Sequence, residues 1–198
     1  MKIIAVVCFA LALICSVVIA NADPVRWQMS LGGNDHWYDV IYAPSTITWW
    51  AAKNAATGSG GYLATTTTSE ENDFVFNVAN ANSACWFTYA GWAIGPWLGG
   101  YQASGSAEPD GGWGWITGET WSYTNWASGQ PGNALGIENA LHFIGASNIP
   151  SSTWNDNYEN SQTRGYVVEW DVNPIVPEPA SIAALLLGLS GLALRRRK

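Results

Sequence analysis

Positive charge is what this sequence has least of. Eight Lys and Arg stand against fifteen Asp and Glu, and five of the eight, Lys2 and the closing Arg195-Arg196-Arg197-Lys198, lie at the extreme ends. Between residues 23 and 176 only Arg26, Lys53 and Arg164 remain, three cations against fourteen acids and a net charge of −11. Such a surface repels nucleic acid and anionic lipid head groups, and suits cations and neutral ligands. Nucleic acid is therefore not an expected partner. Cysteine is nearly as rare. Cys8 and Cys15 belong to an N-terminal apolar run, which leaves Cys85 alone in the body of the chain, so no intrachain disulfide forms there. Beside Trp86 and Phe87, Cys85 reads as a small buried hydrophobe. Histidine is limited to His36 and His142, far apart in sequence, and Gly-x-Ser-x-Gly is missing. With no nucleophile–base arrangement, catalysis is not expected.

The two ends read as addresses. Lys2 precedes an apolar run from Ile3 to Ala20, and Ala20-Asn21-Ala22 is a small-x-small cleavage site. That pattern predicts a secretory signal peptide over residues 1–22, cut after Ala22. At the other end Val176-Pro177-Glu178-Pro179 leads into apolar residues 180–194 and then the basic cluster. Fifteen residues of helix reach only about 22 Å, short of a hydrocarbon core of about 30 Å, while the basic end would stop transfer. The order of Pro177-Glu178-Pro179, apolar segment and Arg195-Arg196-Arg197 resembles the PEP-CTERM sorting signal of Gram-negative bacteria. The resemblance implies transient anchoring in the inner membrane, cleavage by an exosortase-type enzyme, and release to the cell surface or extracellular matrix.

What remains is about 150 residues, enough for one domain with its own core, and thirteen Trp supply much of the apolar mass. Trp37–Tyr42 has the β-branched and aromatic content of a strand, ended by Pro44-Ser45. Thr48 caps a helix with Trp49, Ala52 and Ala56 on its apolar face, closed by Gly58 to Gly61. Tyr62-Leu63-Ala64 reads as a short buried strand. Ser69-Glu70-Glu71-Asn72 opens a second helix with Phe74, Val75 and Val78 inward and acids in its first turn, where the helix dipole favours them. From Cys85 onward the pattern changes to strands at 97–101, 113–116, 140–144 and 166–170, broken by loops at 103–112 and 121–136. Helices first and strands with long loops afterwards predict an α+β fold.

Read in order, Thr48-to-Ala64, Ser69-Glu70-Glu71-Asn72, Trp97-Leu98-Gly99-Gly100, Trp113/Trp115/Trp126, Gln130-Pro131, Glu138 and Trp154-Asn155-Asp156 resemble the C-type lectin-like domain over roughly residues 35–171. The resemblance implies a C-type lectin-like fold: two helices, small antiparallel sheets, a long irregular loop region and, here, no disulfides. The division expected is signal peptide 1–22, lectin-like domain 23–172 and sorting tail with a short transmembrane segment 173–198.

A loop-built cation site is readable in the same region. Gln130-Pro131-Gly132-Asn133 is followed eight residues after Gln130 by Glu138, and later by Asn155-Asp156. These are oxygen donors set among Gly and Pro, and a hard cation takes six to eight oxygens at about 2.3–2.6 Å. In carbohydrate-binding members of the resembled family, such a tripeptide, later Glu and Asn-Asp pair bind one calcium, whose coordination the sugar hydroxyls complete. Carried over residue by residue, Gln130, Glu138, Asn155 and Asp156 are the calcium and sugar ligands. Gly132 stands where a third ligand belongs and has no side chain, so Asn133, one place late, is the substitute. Two carboxylates and three amides make a weak site. The resemblance also implies a cis Pro131, while Trp121, Tyr123 and Trp126 are placed to stack on sugar rings. Each residue has a structural use as well: Trp154 as core, Asn155-Asp156 as turn formers, Glu138 as a cap or a partner of Arg164. The function expected is an exported, weakly calcium-dependent carbohydrate-binding module whose partner is a glycan or exopolysaccharide. The alternative is a metal-free interaction or matrix protein.

Overall fold

The two helices form where the sequence supplies caps. In a computed structural model describing residues 23–175, α1 spans Trp49–Gly58 and α2 spans Ser69–Asn80. The Thr48 hydroxyl accepts the Ala51 N–H at 3.3 Å and the Thr68 hydroxyl accepts the Glu71 N–H at 3.1 Å, each satisfying an orphan donor of the first turn. Helix α1 buries Trp49, Ala52 and Ala56, one stripe at helical spacing. Helix α2 buries Val75 and Ala79, with Phe74 and Val78 half-buried against the core. It also buries two polar residues, Glu71 and Asn72, which both reappear below. The cleavage-site residues Ala20 and Ala22, the sorting residues from Pro177 to Arg197 and the apolar segment between them lie outside the described residues. Among the described residues no helix is long and apolar enough to cross a membrane.

Among the described residues nine strands form one connected sheet: β1 (Val25–Arg26), β2 (Trp37–Ile47), β3 (Tyr62–Leu63), β4 (Phe87–Tyr89), β5 (Trp92–Gln102), β6 (Trp113–Trp115), β7 (Glu138–Ala146), β8 (Thr153–Tyr158) and β9 (Thr163–Trp170). The main order is β1-β2-β9-β5-β7-β8, with β3 on β9 and both β4 and β6 on β5. The expected α+β class and two helices are present. The expected small antiparallel sheets instead share one frame, because the eleven-residue β5 is long enough to pair with β4, β6, β7 and β9. The β5–β9 contact, Trp97 opposite Tyr166, is parallel, so the sheet is mixed.

Three differences from the sequence reading have physical causes. Strand β2 runs through Pro44-Ser45 rather than ending there; its pairing with β9 shifts register between Tyr42 and Ile47, which removes the need for a proline N–H. Strands β1 and β4, two and three residues long, carry too little pattern to be seen. Asn155 and Asp156 sit inside β8, not in a turn.

The core divides on the two faces. Tyr38, Val75, Leu98, Leu141, Phe143, Trp154 and Val167 pack beneath α2, and Trp49, Leu63, Trp97, Tyr166 and Trp170 beneath α1. Cys85 is fully buried, and burial pushes its thiol up to about 12, as expected of a packed hydrophobe. Trp154 ties the faces to the loops: its indole N–H donates to Asn72 Oδ1 at 2.7 Å, while Asn72 Nδ2 donates to the Ser152 carbonyl at 3.0 Å. Ser152 keeps a second donor in Asn125, at 2.8 Å. Asn72→Ala therefore orphans chiefly the buried Trp154 N–H. The expected loss is about 2 kcal/mol, read as a lower urea midpoint at unchanged slope; a midpoint within error of wild type would show that this bond does not anchor β8.

Candidate functional site

After β6 the chain runs without regular structure to a 3-10 turn at Ala134–Gly136 and enters β7 at Glu138. The Gln130–Pro131 bond is cis, as the resemblance implied. Asn133 and Leu135 take left-handed conformations, φ 43° and 59°, which curl this loop back over the end of β8. There β7 and β8 pair antiparallel, Leu141 opposite Asp156 and His142 opposite Asn155.

The fully buried Asp156 carboxylate closes the loop. Its Oδ1 accepts the Gly132 N–H at 2.9 Å and its Oδ2 the Asn133 N–H at 2.6 Å. Glu138 Oε2 accepts the Ala134 N–H at 2.6 Å, and the Glu138 N–H donates to Asn133 Oδ1 at 3.1 Å. Burial holds the Glu138 carboxyl above its ordinary value; the Ala134 N–H pulls it back and nearby Asp156 adds to the rise. Gly132 contributes something other than a ligand. A Cβ there would stand 2.7 Å from Gln130 Oε1, so glycine leaves room for the Gln130 amide to fold over the loop. That buried Oε1 has no hydrogen-bond partner.

Asn155 is turned the other way. Its Nδ2 donates to His142 Nε2 at 3.0 Å and to the Asp156 carbonyl, and His142 Nδ1–H donates to the Phe143 carbonyl at 2.7 Å. With Nε2 accepting, His142 is the neutral tautomer, and burial pulls its pKa down to about 4. Gln130, Asn133, Glu138 and Asp156 thus share one loop cluster. The Asn155 amide nitrogen is committed to the core beneath it. Glu138 makes no ion pair with Arg164 among the described residues.

A pocket of about 160 Å³ opens beside this loop. Asn133 lines it from the loop, Gln102 from the end of β5, Glu108 from the segment after β5, and Glu138 and Asn139 from the start of β7. Gln102 is 1% exposed, and the buried Gln102 Oε1 and Asn139 Oδ1 have no partners. Two carboxylates and three amides therefore face one space with acceptor oxygens to spare. Sequence reading missed Gln102, Glu108 and Asn139. The only available signal was a second polar Gly/Ser/Pro loop, 103–112, whose distance from Glu138 depends entirely on β5 pairing with β7.

The three aromatic residues form a half-buried cluster on Trp154. Trp121 stacks on Trp113 (5.9 Å, 25°), Trp126 meets Trp154 edge to face (5.7 Å, 85°), and Tyr123 meets it similarly (5.5 Å, 89°). They bind the long loop to the core, and each remains half-exposed.

A lectin C-type domain is recognised over residues 45–168, which is most of the described chain. The chain belongs to the C-type lectin domain family. A PEP-CTERM protein-sorting motif follows at 176–198. The chain is 31% identical over 128 residues to a perlucin-like protein of Mytilus galloprovincialis, covering 64% of this chain and 72% of that protein. In fold it is similar to the C-type lectin CEL-I of Cucumaria echinata (26% identity, 68% of this chain and 89% of that one, TM-score 0.52). It is also similar to the cow carbohydrate-recognition domain of CD23 (22%, 76% and 96%, TM-score 0.54). This lectin-family protein is not an enzyme.

The His142–Asn155 contact sets a pH dependence. A His with a lowered folded pKa contributes stability above its unfolded value of about 6.5, and that contribution drains as pH falls toward about 4. Between about pH 7 and 4.5 the wild type should lose about 2–3 kcal/mol relative to His142→Gln, which keeps an acceptor but has no proton to gain. Paired urea titrations at the two pH values measure this; an unchanged difference would overturn the neutral assignment.

Proposed function

We propose that this protein is an exported carbohydrate-binding domain whose ligand site is the 130–138 loop with β8, assisted by a weakly held calcium ion. The observation that carries the reading is the surplus of acceptors at the loop: Glu108 and Glu138 with the Gln102, Asn133 and Asn139 amides around one pocket, two of those amide oxygens buried and unpartnered. Buried acceptors without donors are costly unless a cation or a polyhydroxyl ligand satisfies them. Calcium, a hard ion that accepts mixed carboxylate and amide oxygens, fits that donor set. Glu138 and Asn133 would hold it, with Gln102, Glu108 and Asn139 on one side and Gln130 and Asp156 on the other, while Asn155, turned toward His142, would stay out of the site. Calcium would supply a positive centre to which vicinal hydroxyls bind. Asp156 keeps the loop closed through the Gly132 and Asn133 N–H groups, and the edges of Trp121, Tyr123 and Trp126 offer apolar surface to a sugar face. The family membership and the names of the relatives support a glycan or exopolysaccharide as the partner.

The sorting motif supports the setting. In this reading residues 1–22 are a signal peptide removed after Ala22, residues 23–172 the lectin domain, and residues 173–198 a tail that anchors briefly in the inner membrane. An exosortase-type enzyme of a Gram-negative bacterium then cleaves near Pro177-Glu178-Pro179 and releases the domain to the cell surface or matrix.

A metal-free interaction or matrix role is favoured by one observation: both oxygens of the Asp156 carboxylate already accept backbone N–H groups of the loop. Calcium separates the readings. For a site with Kd of about 1 mM, calcium at about 10 mM should add about 1.4 kcal/mol, a Tm rise of about 3–5 °C reversed by chelator. Glu138→Gln should abolish the rise. No shift in the wild type refutes the calcium assignment, and a blank glycan array with and without calcium refutes sugar binding.

A further inference from the structure

Outside the 130–138 loop, the two ends of the domain meet on a buried acidic cluster. Glu71 from α2 and Glu169 from β9 are 4% and 1% exposed. The Tyr38 hydroxyl of β2 stands 2.9 Å from Glu71 Oε1 and 3.0 Å from Glu169 Oε1. It has one hydrogen for the two. Asn34 Nδ2 donates to the Tyr38 oxygen at 2.7 Å and to Glu71 Oε1 at 2.9 Å. Thr67 gives Glu71 Oε2 its N–H and hydroxyl, at 2.7 and 2.8 Å. Thr65 gives Glu169 Oε2 its N–H at 3.0 Å, and its hydroxyl lies between Glu169 Oε2 at 3.2 Å and Glu119 Oε2 at 2.6 Å.

All these donors are neutral, and one group here can bring charge. His36 Nδ1 lies 2.7 Å from Glu169 Oε1, and Nε2 lies 3.8 Å from Asp171 Oδ1. The Tyr62 hydroxyl of β3 donates to Asp171 at 2.7 Å and stands 3.4 Å from His36 Nδ1. Arg26, the nearby permanent cation, is paired with Asp35 at 3.1 Å. The titratable groups around His36 are thus Glu169 and Asp171 at the end of β9, Glu71 of α2, Tyr62 of β3 and Tyr38 of β2, with Glu119 behind Thr65. Every one is an acid.

We propose that His36 is a proton-operated clasp: as imidazolium it compensates the buried Glu71–Glu169 pair and pins residues 27–36 and the chain's exit at Asp171 to the sheet, and on losing its proton it loosens both. A neutral imidazole still donates through Nδ1, so what disappears is the charge compensation. Position gives the clasp its meaning. The 27–36 segment begins the domain and presents exposed Met29 and Leu31, while the sorting motif begins at residue 176, just past Asp171. The root of the tail is therefore held most firmly where protons are plentiful. The Glu169 hydrogen bond, helped by the surrounding acids and opposed by burial, raises His36 above its ordinary value of 6.5. With a raised folded pKa, the stability is fully present below about 6.5 and is lost as pH climbs through the higher folded value.

The test uses the full 198-residue chain, kept in detergent. Ring NMR should show His36 titrating above about 6.5, distinct from His142, which stays neutral across that range. The wild-type Tm should exceed that of His36→Gln by about 3–6 °C near pH 5.5, and by less than a third of that near pH 9. Glu169→Gln should pull the His36 midpoint down. A wild-type midpoint at or below about 6.5, or a Tm gap equal at both pH values, overturns the proposal. Should a variant fail to fold, the wild-type titration decides alone. Calcium and glycan play no part, so the outcome is independent of the loop site.

Discussion

With Cys85 as the one cysteine of the described chain, the long segment between β6 and β7 has no covalent staple. Its position depends on the indole of Trp154. That ring is fully buried, meets Trp115, Trp121, Tyr123 and Trp126 in edge or tilted contacts, and gives its N–H to Asn72 of α2. The backbone follows: the Trp154 N–H donates to the Asn125 carbonyl at 2.8 Å, and the Ala127 N–H donates to the Trp154 carbonyl at 2.9 Å. One residue of β8 therefore fixes a loop in which several ring pairs each contribute about 0.5–1.5 kcal/mol beyond area burial. Non-covalent anchoring of this kind needs bulk, which is why so much tryptophan is concentrated between 113 and 154.

The site inherits its geometry from the same strand. Side chains alternate along a strand, so Asp156 follows Trp154 toward the loop while Asn155 points to His142 on the neighbouring strand. A pair that reads in sequence as one ligand unit is divided by the pleat into a loop latch and a core contact. Asp156 satisfies two backbone N–H groups that a glycine-containing loop would otherwise leave open, and Gly132 admits the Gln130 amide that covers them. The absent side chain at Gly132 is thereby a packing requirement as well as a missing ligand.

Much of this was legible from residue order. The cap at Thr48, the acidic first turn of α2, the buried stripe of α1 and the strand runs around Trp97 and Val167 are local signals, and the structure realises them. The grouping of Gln130, Asn133, Glu138 and Asp156 was legible only through the family resemblance, since Asp156 lies on a separate strand from the loop it closes. Features set by distant pairing were not. Gln102 and Glu108 approach Glu138 only because β5 lies beside β7, Asn155 turns inward only because β8 pairs with β7, and Pro44 stays in a strand only because β9 tolerates a register shift. The His36 cluster joins residues more than a hundred positions apart, and nothing near His36 in sequence announces Glu169.

The scarcity of cations connects these features. A domain with three permanent positive charges cannot give each buried carboxylate a Lys or Arg. Asp156 is satisfied by two N–H groups, Glu71 by threonine, asparagine and tyrosine donors, and Glu169 by a threonine and a histidine. Neutral donors supply hydrogen bonds without discharging the group, so acidic sites in such a protein remain tuned to small cations and protons. Near Glu169 the available positive partner is a histidine proton. Near Glu138 and Glu108, unpartnered amide oxygens add to the carboxylates, and no basic side chain lines the pocket.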